Sequence, residues 1–289
     1  MAPDRHLVGL IGAGIGSSMS PALHEREADR QGLRYLYQII DLDRLGLVAD
    51  DVGDLMAAAR RLGFRGLNIT HPCKQEVLKY LDDLAPEAAE LGAVNTVVFD
   101  DGRAVGHNTD RYGFAAGLAR ALPGAAPGHV VLLGAGGAGL AVAAALADAG
   151  TRRLTVADVE PERAQRLAEA MAVHGEVSVE TVTPETAHQR LAEADGLVNA
   201  TPVGMEGHPG SPMAAEYLRA ALWVADVIYR PLDTELIRSA RRLGCRTADG
   251  AGMVVYQAAA SFHLFTGRAA DEYAMFDDFR ELTGGAGRA

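Results

Sequence analysis

Val130-Val131-Leu132-Leu133-Gly134-Ala135-Gly136-Gly137-Ala138-Gly139 runs four apolar residues directly into a complete G-x-G-x-x-G. An alanine-rich apolar segment, Leu140 to Ala149, follows and stops at Gly150. The order reads as buried strand, tight turn and helix. Gly134 permits the turn, Gly136 lets the backbone approach a pyrophosphate, and Gly139 lets the helix sit close on its strand. The helix N-terminus offers N–H groups and a positive dipole end to phosphates. A second strand, Arg153 to Ala157, ends on Asp158. That acid stands about where a ribose-binding carboxylate belongs, roughly 20 residues on. A dinucleotide site is the leading reading. A methyl-transfer cofactor, which uses similar glycines and a similar acid, is the alternative at this point.

Downstream, Pro161 stands at helix N1, and Ala164, Leu167, Ala168 and Met171 make one helical face. Val177 to Val182 alternates as a strand, and Pro184 to Ala194 reads as helix. The strand Gly196 to Ala200 breaks at Thr201-Pro202-Val203-Gly204-Met205. Another, Trp223 to Ile228, ends at Tyr229-Arg230-Pro231, before a helix from Thr234 to Leu243. Strand and helix in repetition predict a parallel, doubly wound sheet of Rossmann type. Helices over Gly252 to Phe265 and Tyr273 to Leu282 close the chain, with a frayed tail expected from Gly284 to Ala289.

Upstream, His6 to Ile11 reads as a strand. Gly12-Ala-Gly14-Ile-Gly16-Ser17 begins like a second nucleotide motif, but Ser17 stands at the third glycine position. Pro21 fits N1 of the next helix, with Ser20 as its N-cap. Ser18 and Ser20 are therefore caps, or a pair of hydroxyls facing a small anion such as a carboxylate. Strands follow over Arg34 to Ile40 and Arg65 to Ile69, with a helix from Val52 to Leu62 between them. Thr70-His71-Pro72-Cys73-Lys74-Gln75 leads into a helix reaching about Leu81. Ala93 to Phe99 pairs with a strand ending at His107 through the Asp101-Gly102 turn, a hairpin signal. This half is thus an α/β unit with a mixed sheet. Asn108-Thr109-Asp110 starts another helix, where capping is one reading of Asp110.

The 289 residues are 48% hydrophobic and 22% charged, an ordinary globular mix. A net charge of -11 argues against nucleic acid or an anionic membrane as partner. No apolar run reaches the ~18 residues of a membrane span. The N-terminal residues lack a signal-peptide core, and two cysteines build no disulfide framework, so a cytoplasmic protein with reduced thiols is expected. Lys74 and Lys79 are the only lysines, Arg supplying the remaining positive charge. Lys74 follows a buried strand at a loop-to-helix position, which makes it a candidate for chemistry. Polar residues at strand ends (Thr70, Asn95, Asp110, Thr201, Tyr229) fit a cleft at the carboxyl edge of an open sheet. His24, His71 and His107 lack metal-ligand spacing, and no metal is expected.

The motifs together resemble the shikimate dehydrogenase family, and especially its NAD-dependent quinate/shikimate dehydrogenases. They are Ser18-x-Ser20-Pro21, Gly66-Leu-Asn-Ile-Thr70-His-Pro72-x-Lys74, Gly92-Ala-Val-Asn95-Thr96 and Gly106-His-Asn-Thr-Asp110. Gly134 to Gly139, Asn199-Ala-Thr201-Pro202-x-Gly-Met205 and Asp249-Gly-x-Gly252-Met253-x-x-x-Gln257 continue the series in order. The resemblance implies a substrate-binding and catalytic domain of residues 1–112 and 250–289, and a Rossmann NAD-binding domain of residues 113–249. It implies Lys74 and Asp110 as the catalytic pair. Ser18 and Ser20, with Tyr229, would hold the substrate carboxylate, and Thr70, Asn95 and Gln257 its ring hydroxyls. Gly134, Ala135, Gly136, Gly137, Ala138, Gly139, Asp158, Arg163, Thr201, Pro202, Gly250 and Met253 would hold the cofactor. The implied substrate is a small hydroxylated cyclohexane or cyclohexene carboxylic acid, and a second copy of the chain is a candidate partner.

Members using NADP tend to carry Asn-Arg-Thr where this chain has Ala157-Asp158-Val159, so NAD is expected over NADP. Gly12-Ala-Gly14 stands where many biosynthetic members have Gly-x-Pro, next to the carboxylate site. The alternatives are an aminoquinate or aminoshikimate dehydrogenase, and a regulator that keeps the dinucleotide fold without catalysis. Retention of Lys74 and Asp110 argues against the regulator.

Overall fold

The structure is a computed structural model and describes residues 5–125, 127–172 and 177–284. The chain divides into two compact units, one ending at Thr109 and resumed from Val255, the other running from Asp110 to Val254.

The first unit contains β1 (Arg5–Gly12), α1 (Ser20–Arg30), β2 (Arg34–Asp41), α2 (Leu42–Leu45), α3 (Val52–Arg61), β3 (Gly66–Ile69), β4 (Asp83–Leu84), α4 (Pro86–Leu91), β5 (Thr96–Asp100) and β6 (Arg103–His107). The sheet order is β2-β1-β3-β5-β6-β4. β1 lies parallel to β2 and β3, while β3–β5 and β5–β6 are antiparallel, which makes the sheet mixed. Alternate residues feed two cores, as the two-residue period of a strand requires. Ile11, Leu67, Ile69 and Val97 pack on one face with Val52 and Val77. Val8, Leu10 and Val98 pack on the other with Tyr37 and Phe265.

Two local expectations are corrected here. The helix predicted after Lys74 is a short 3₁₀ turn over Glu76–Tyr80, in which Val77 alone is buried. One buried side chain gives no apolar stripe to hold a longer helix. Ser20 is not the N-cap of α1: Met19 takes that position, and Ser20 and Pro21 lie inside the first turn.

The second unit begins with α5 (Asp110–Ala121) and continues through β7 (His129–Leu133), α6 (Gly137–Asp148), β8 (Arg153–Ala157), α7 (Pro161–Met171), β9 (Ser178–Val182), α8 (Pro184–Leu191), β10 (Gly196–Asn199), β11 (Trp223–Asp226), α9 (Glu235–Arg242) and β12 (Arg246–Ala248). Its sheet order is β12-β11-β10-β7-β8-β9, with every pairing parallel. That is the doubly wound dinucleotide-binding order, whose direction of winding reverses between β7 and β10. β7 is buried along its whole length, and Val131, Leu197 and Val224 of adjacent strands share one core.

α10 (Ala251–Thr266) and α11 (Glu272–Leu282) end the chain. The tail expected to fray lies, from residue 285, outside the described residues. In the first unit a charged network joins α11 and its approach to α1. Glu27, 1% exposed, accepts from Arg30 Nε at 3.0 Å, from Gln31 Nε2 at 2.6 Å and from the Asp271 backbone N–H at 2.9 Å. Arg30 also donates to Asp278 at 2.6 Å. Glu27→Ala is expected to destabilise the protein by about 3 kcal/mol, the low end for breaking a buried ion pair, because Arg30 keeps access to water. A denaturant midpoint within error of the parent would remove Glu27 from that role. No helix among the described residues is long and apolar enough to cross a membrane.

Candidate active site

In the first unit, three loops gather at the ends of β1 and β3. The Gly12–Ser20 loop is held by Ala13 N–H to the His71 carbonyl at 2.9 Å and by Gly14 N–H to Asp41 Oδ1 at 3.1 Å. At its end the two serine hydroxyls lie 3.3 Å apart, and Ser18 Oγ also accepts the Ser20 N–H. Both side chains are half-buried. The structure therefore brings Ser18 and Ser20 together at the start of α1, with Ser18 turned onto its backbone.

Thr70 continues β3, its N–H bonded to Ile11 O at 2.9 Å, and accepts from Cys73 N–H at 2.8 Å. Lys74 is half-buried, and its carbonyl accepts the Val94 N–H at 2.9 Å. Its backbone is thus anchored independently of its amine. Burial pushes the neighbouring Cys73 thiol up to about 11, which removes it as a nucleophile at neutral pH. His24 stands on α1 with Nδ1 3.0 Å from Tyr35 Oη, and burial pushes it down to about 3, so it is neutral. Among the described residues no group of three or more His, Cys, Asp or Glu could hold a metal ion.

Asn95 sits in a buried polar chain that the sequence motifs did not reveal. Tyr37 Oη donates to Asn68 Oδ1 at 2.7 Å, and Asn68 Nδ2 donates to Thr96 Oγ1 at 3.0 Å. Thr96 Oγ1 donates to Asn95 Oδ1, which also accepts the Thr109 N–H at 2.8 Å. Asn95 Nδ2 donates to Thr109 Oγ1 at 2.9 Å, and Thr109 Oγ1 lies 3.4 Å from Ser261 Oγ. Ser261 in turn donates to the carbonyl of Gln257 on α10. Asn95 is thereby a structural tie on Thr109, the residue immediately before Asp110.

In the second unit the glycine-rich turn follows β7. Gly134 has φ +96°, and a Cβ there would lie 2.7 Å from the Ala200 carbonyl. A Cβ on Gly139 would overlap the carbonyl of Gly134. A Cβ on Gly136 would meet nothing within 4 Å. The fold therefore needs the first and third glycines, while the second stands beside open space, as a backbone that cradles a phosphate group requires. Gly137 and Ala138 open α6 and are half-buried. Ala200 N–H bonds to Leu133 O at 2.7 Å, so the Thr201-Pro202 loop lies beside the glycine turn at the winding reversal.

Asp158 directly follows β8 at 9% exposure, with its carboxylate already engaged. It accepts the Ala135 N–H at 2.7 Å and the Glu160 N–H at 2.9 Å. The sequence suggested a carboxylate held for a ribose, and the structure adds a hold on the glycine turn itself. Arg163 pairs with Glu160 at 2.8 Å, while Val159 between the two acids is 83% exposed. Gly250 packs against the Ile228 carbonyl, where a Cβ would overlap it. Met253, Tyr229 and Arg163 are half-buried and Pro202 is exposed. Asp110 is 5% exposed at the first position of α5.

Family models match in the same order as these units. Residues 10–97 match a shikimate dehydrogenase substrate-binding domain. Residues 107–210 match the C-terminal domain of alanine dehydrogenase/PNT, and residues 250–275 the C-terminal domain of shikimate 5'-dehydrogenase. The chain is 60% identical to a shikimate dehydrogenase (NADP(+)) of Streptomyces avermitilis, over 99% of each chain. It is 47% identical to a quinate/shikimate dehydrogenase (NAD(+)) of Corynebacterium efficiens, over 98% of this chain and 100% of that one. Among solved structures it is similar to quinate dehydrogenase from Corynebacterium glutamicum in complex with NAD, with TM-score 0.90 and 46% identity over 96% and 99% of the two chains. Fold, glycine turn and relatives together define an NAD(P)-dependent oxidoreductase acting on a CH–OH group. The chain belongs to the shikimate dehydrogenase family.

Proposed function

We propose that the protein interconverts shikimate, and also quinate, with their 3-dehydro ketones, using NAD. The Asp158 carboxylate beside the glycine turn carries the cofactor reading. A carboxylate has about four acceptor positions. Ala135 and Glu160 use two, which leaves acceptors for the adenosine ribose hydroxyls, while a 2′-phosphate there meets like charge. Arg163, the cation closest in sequence, is paired with Glu160. The NADP(+) in the name of the Streptomyces relative opposes this reading, and the NAD(+) in the name of the Corynebacterium relative supports it.

In this reading residues 1–112 and 250–289 serve the substrate and residues 113–249 the dinucleotide. Gly134 to Gly139, Asp158, Arg163, Thr201, Pro202, Gly250 and Met253 hold the cofactor. When bound, its nicotinamide ring exchanges a hydride with the carbon bearing the reacting hydroxyl. Lys74 takes the hydroxyl proton as the ketone forms and returns it in reduction, with Asp110 as its partner. Thr70, Asn95 and Gln257 orient the ring hydroxyls, and Ser18, Ser20 and Tyr229 hold the carboxylate. A homodimer is proposed as the assembly.

The test follows reduced-nicotinamide absorbance with shikimate, quinate and their amino analogues, each with NAD and NADP. Turnover of shikimate and quinate with NAD is expected, and turnover confined to amino analogues would overturn the substrate reading. Ser18→Ala is expected to weaken substrate binding by roughly 1.5–3 kcal/mol, the worth of one charge-assisted hydrogen bond, with NAD binding unchanged. Unchanged calorimetric affinity for both acids would leave Ser18 as a backbone cap alone.

A further inference from the structure

We propose that Asp226 is a positioning residue for the dinucleotide, tying the Asn199–Met205 loop and the turn after β11 to one buried carboxylate. This rests on the reading that the Thr201-Pro202 loop receives that cofactor. Asp226 ends β11 at 2% exposure, and Asn199 ends the adjacent β10 fully buried. Asp226 Oδ1 accepts from Asn199 Nδ2 at 3.1 Å and from the Ile228 N–H at 3.0 Å. Its Oδ2 accepts from Thr234 Oγ1 at 2.8 Å, and Thr234 caps α9 through the Ile237 N–H.

Asn199 relays the hold into the loop. Its Oδ1 accepts the Thr201 N–H at 3.0 Å and the Thr201 hydroxyl at 2.7 Å, while Nδ2 donates also to the Val203 carbonyl at 3.2 Å. Thr201 Oγ1 then accepts the Val203 N–H at 3.2 Å. Each of these groups is hydrogen-bonded to another of the set, so the path of residues 199–203 is set by side chains as well as by the strand. The Ile228 N–H fixes the start of the segment carrying Tyr229, and Gly250 abuts the same backbone. One carboxylate thus sets two segments of the proposed cofactor and substrate contacts.

The carboxylate is costly where it stands. Burial pushes Asp226 up to about 6, against the lowering pull of Ile228, Thr234 and Asn199. Asp249, after β12, adds to the rise and itself lies 3.6 Å from Arg241 of α9. A raised folded pKa means that the folded state binds a proton the unfolded chain has released between about 4 and 6. Stability from this group is therefore present in acid and lost as pH rises through about 6. Asn at 226 keeps an acceptor for Asn199 and Ile228 and gives Thr234 Oγ1 a donor, without the charge.

The experiment compares Asp226→Ala, Asp226→Asn and Asn199→Ala by steady-state kinetics and by melting temperature across pH. Asp226→Ala and Asn199→Ala are expected to raise KM for the dinucleotide by about tenfold or more, the effect of losing one or two buried hydrogen bonds. Their double substitution is expected to fall short of the sum of the two single effects, since both remove the Asn199–Asp226 bond of one relay. Asp226→Asn is expected to stay within about threefold of the parent KM and to melt higher at pH 7, with the gain vanishing toward pH 4. Parent-like dinucleotide KM in Asn199→Ala would overturn the proposal, even if Asp226→Ala failed to fold. So would lowered melting temperatures with unchanged KM in both alanine variants, which is what a merely structural role predicts. A parent without dinucleotide-dependent turnover would instead undo the reading of the loop.

Discussion

Lys74→Met is expected to lower turnover by about 10²–10⁴-fold, the usual share of a positioned acid–base group, with affinity for the dinucleotide unchanged. Oxidising a secondary alcohol needs an acceptor for the hydroxyl proton as the hydride leaves, and reduction of the ketone needs a donor for it. Methionine keeps an unbranched apolar stem out to Cε, with sulfur in place of Cδ, and lacks the amine. The backbone of Lys74 is fixed by the Val94 N–H whatever its side chain carries, so the variant tests chemistry rather than folding. Single-turnover and steady-state rates with shikimate would measure it. Near-parent turnover would take Lys74 out of the mechanism and leave Asp110, already at the head of α5, to carry the proton.

The second large effect expected, on the proposed NAD reading, is a preference for NAD over NADP of roughly 10²-fold or more in kcat/KM. Two unit charges at about 4 Å repel by about 4 kcal/mol at an effective dielectric near 20, before the loop relaxes. Tenfold needs about 1.4 kcal/mol, so 10² survives the loss of nearly a third of that repulsion. Asp158→Ser is expected to shrink the preference. It is also expected to raise KM for both cofactors, because the carboxylate that repels the phosphate also holds the Ala135 N–H. Kinetics with both cofactors on parent and variant read the two effects separately. Equal or higher kcat/KM with NADP in the parent would overturn the assignment. A variant with an unmoved ratio would overturn the explanation while the preference stood.

Elements with long apolar runs and clear punctuation were legible in the sequence. β7 with α6 announced itself because four buried apolar residues meet a glycine whose φ no other residue adopts easily. β4 and β12 have two and three residues, too few for any period to show. The Glu76–Tyr80 segment looked helical because Val77, Leu78 and Leu81 are apolar, yet only Val77 is fully buried. At the candidate site, residue types at strand ends were readable because an open sheet presents those ends together. The hold of Asp158 on Ala135 and the Asp226–Asn199 relay were not. Their partners stand 23 and 27 residues apart, and nothing local in the sequence encodes a bond that exists only once parallel strands have aligned.

The chain leaves the first unit after Thr109 and returns to it at Val255. While the ribosome makes the intervening residues, the β1–β6 sheet waits without Phe262 and Phe265, which pack on His24 and Tyr35, and without Asp278, to which Arg26 and Arg30 donate. At about 5–20 residues per second that wait lasts roughly 7–30 s. The second unit is continuous and has every strand of its sheet before release begins. The nascent protein therefore carries a finished nucleotide-binding unit between the halves of an unfinished one. During that interval the bare sheet face is exposed to chaperones, proteases and neighbouring chains, and truncation anywhere before Phe262 strands it there permanently.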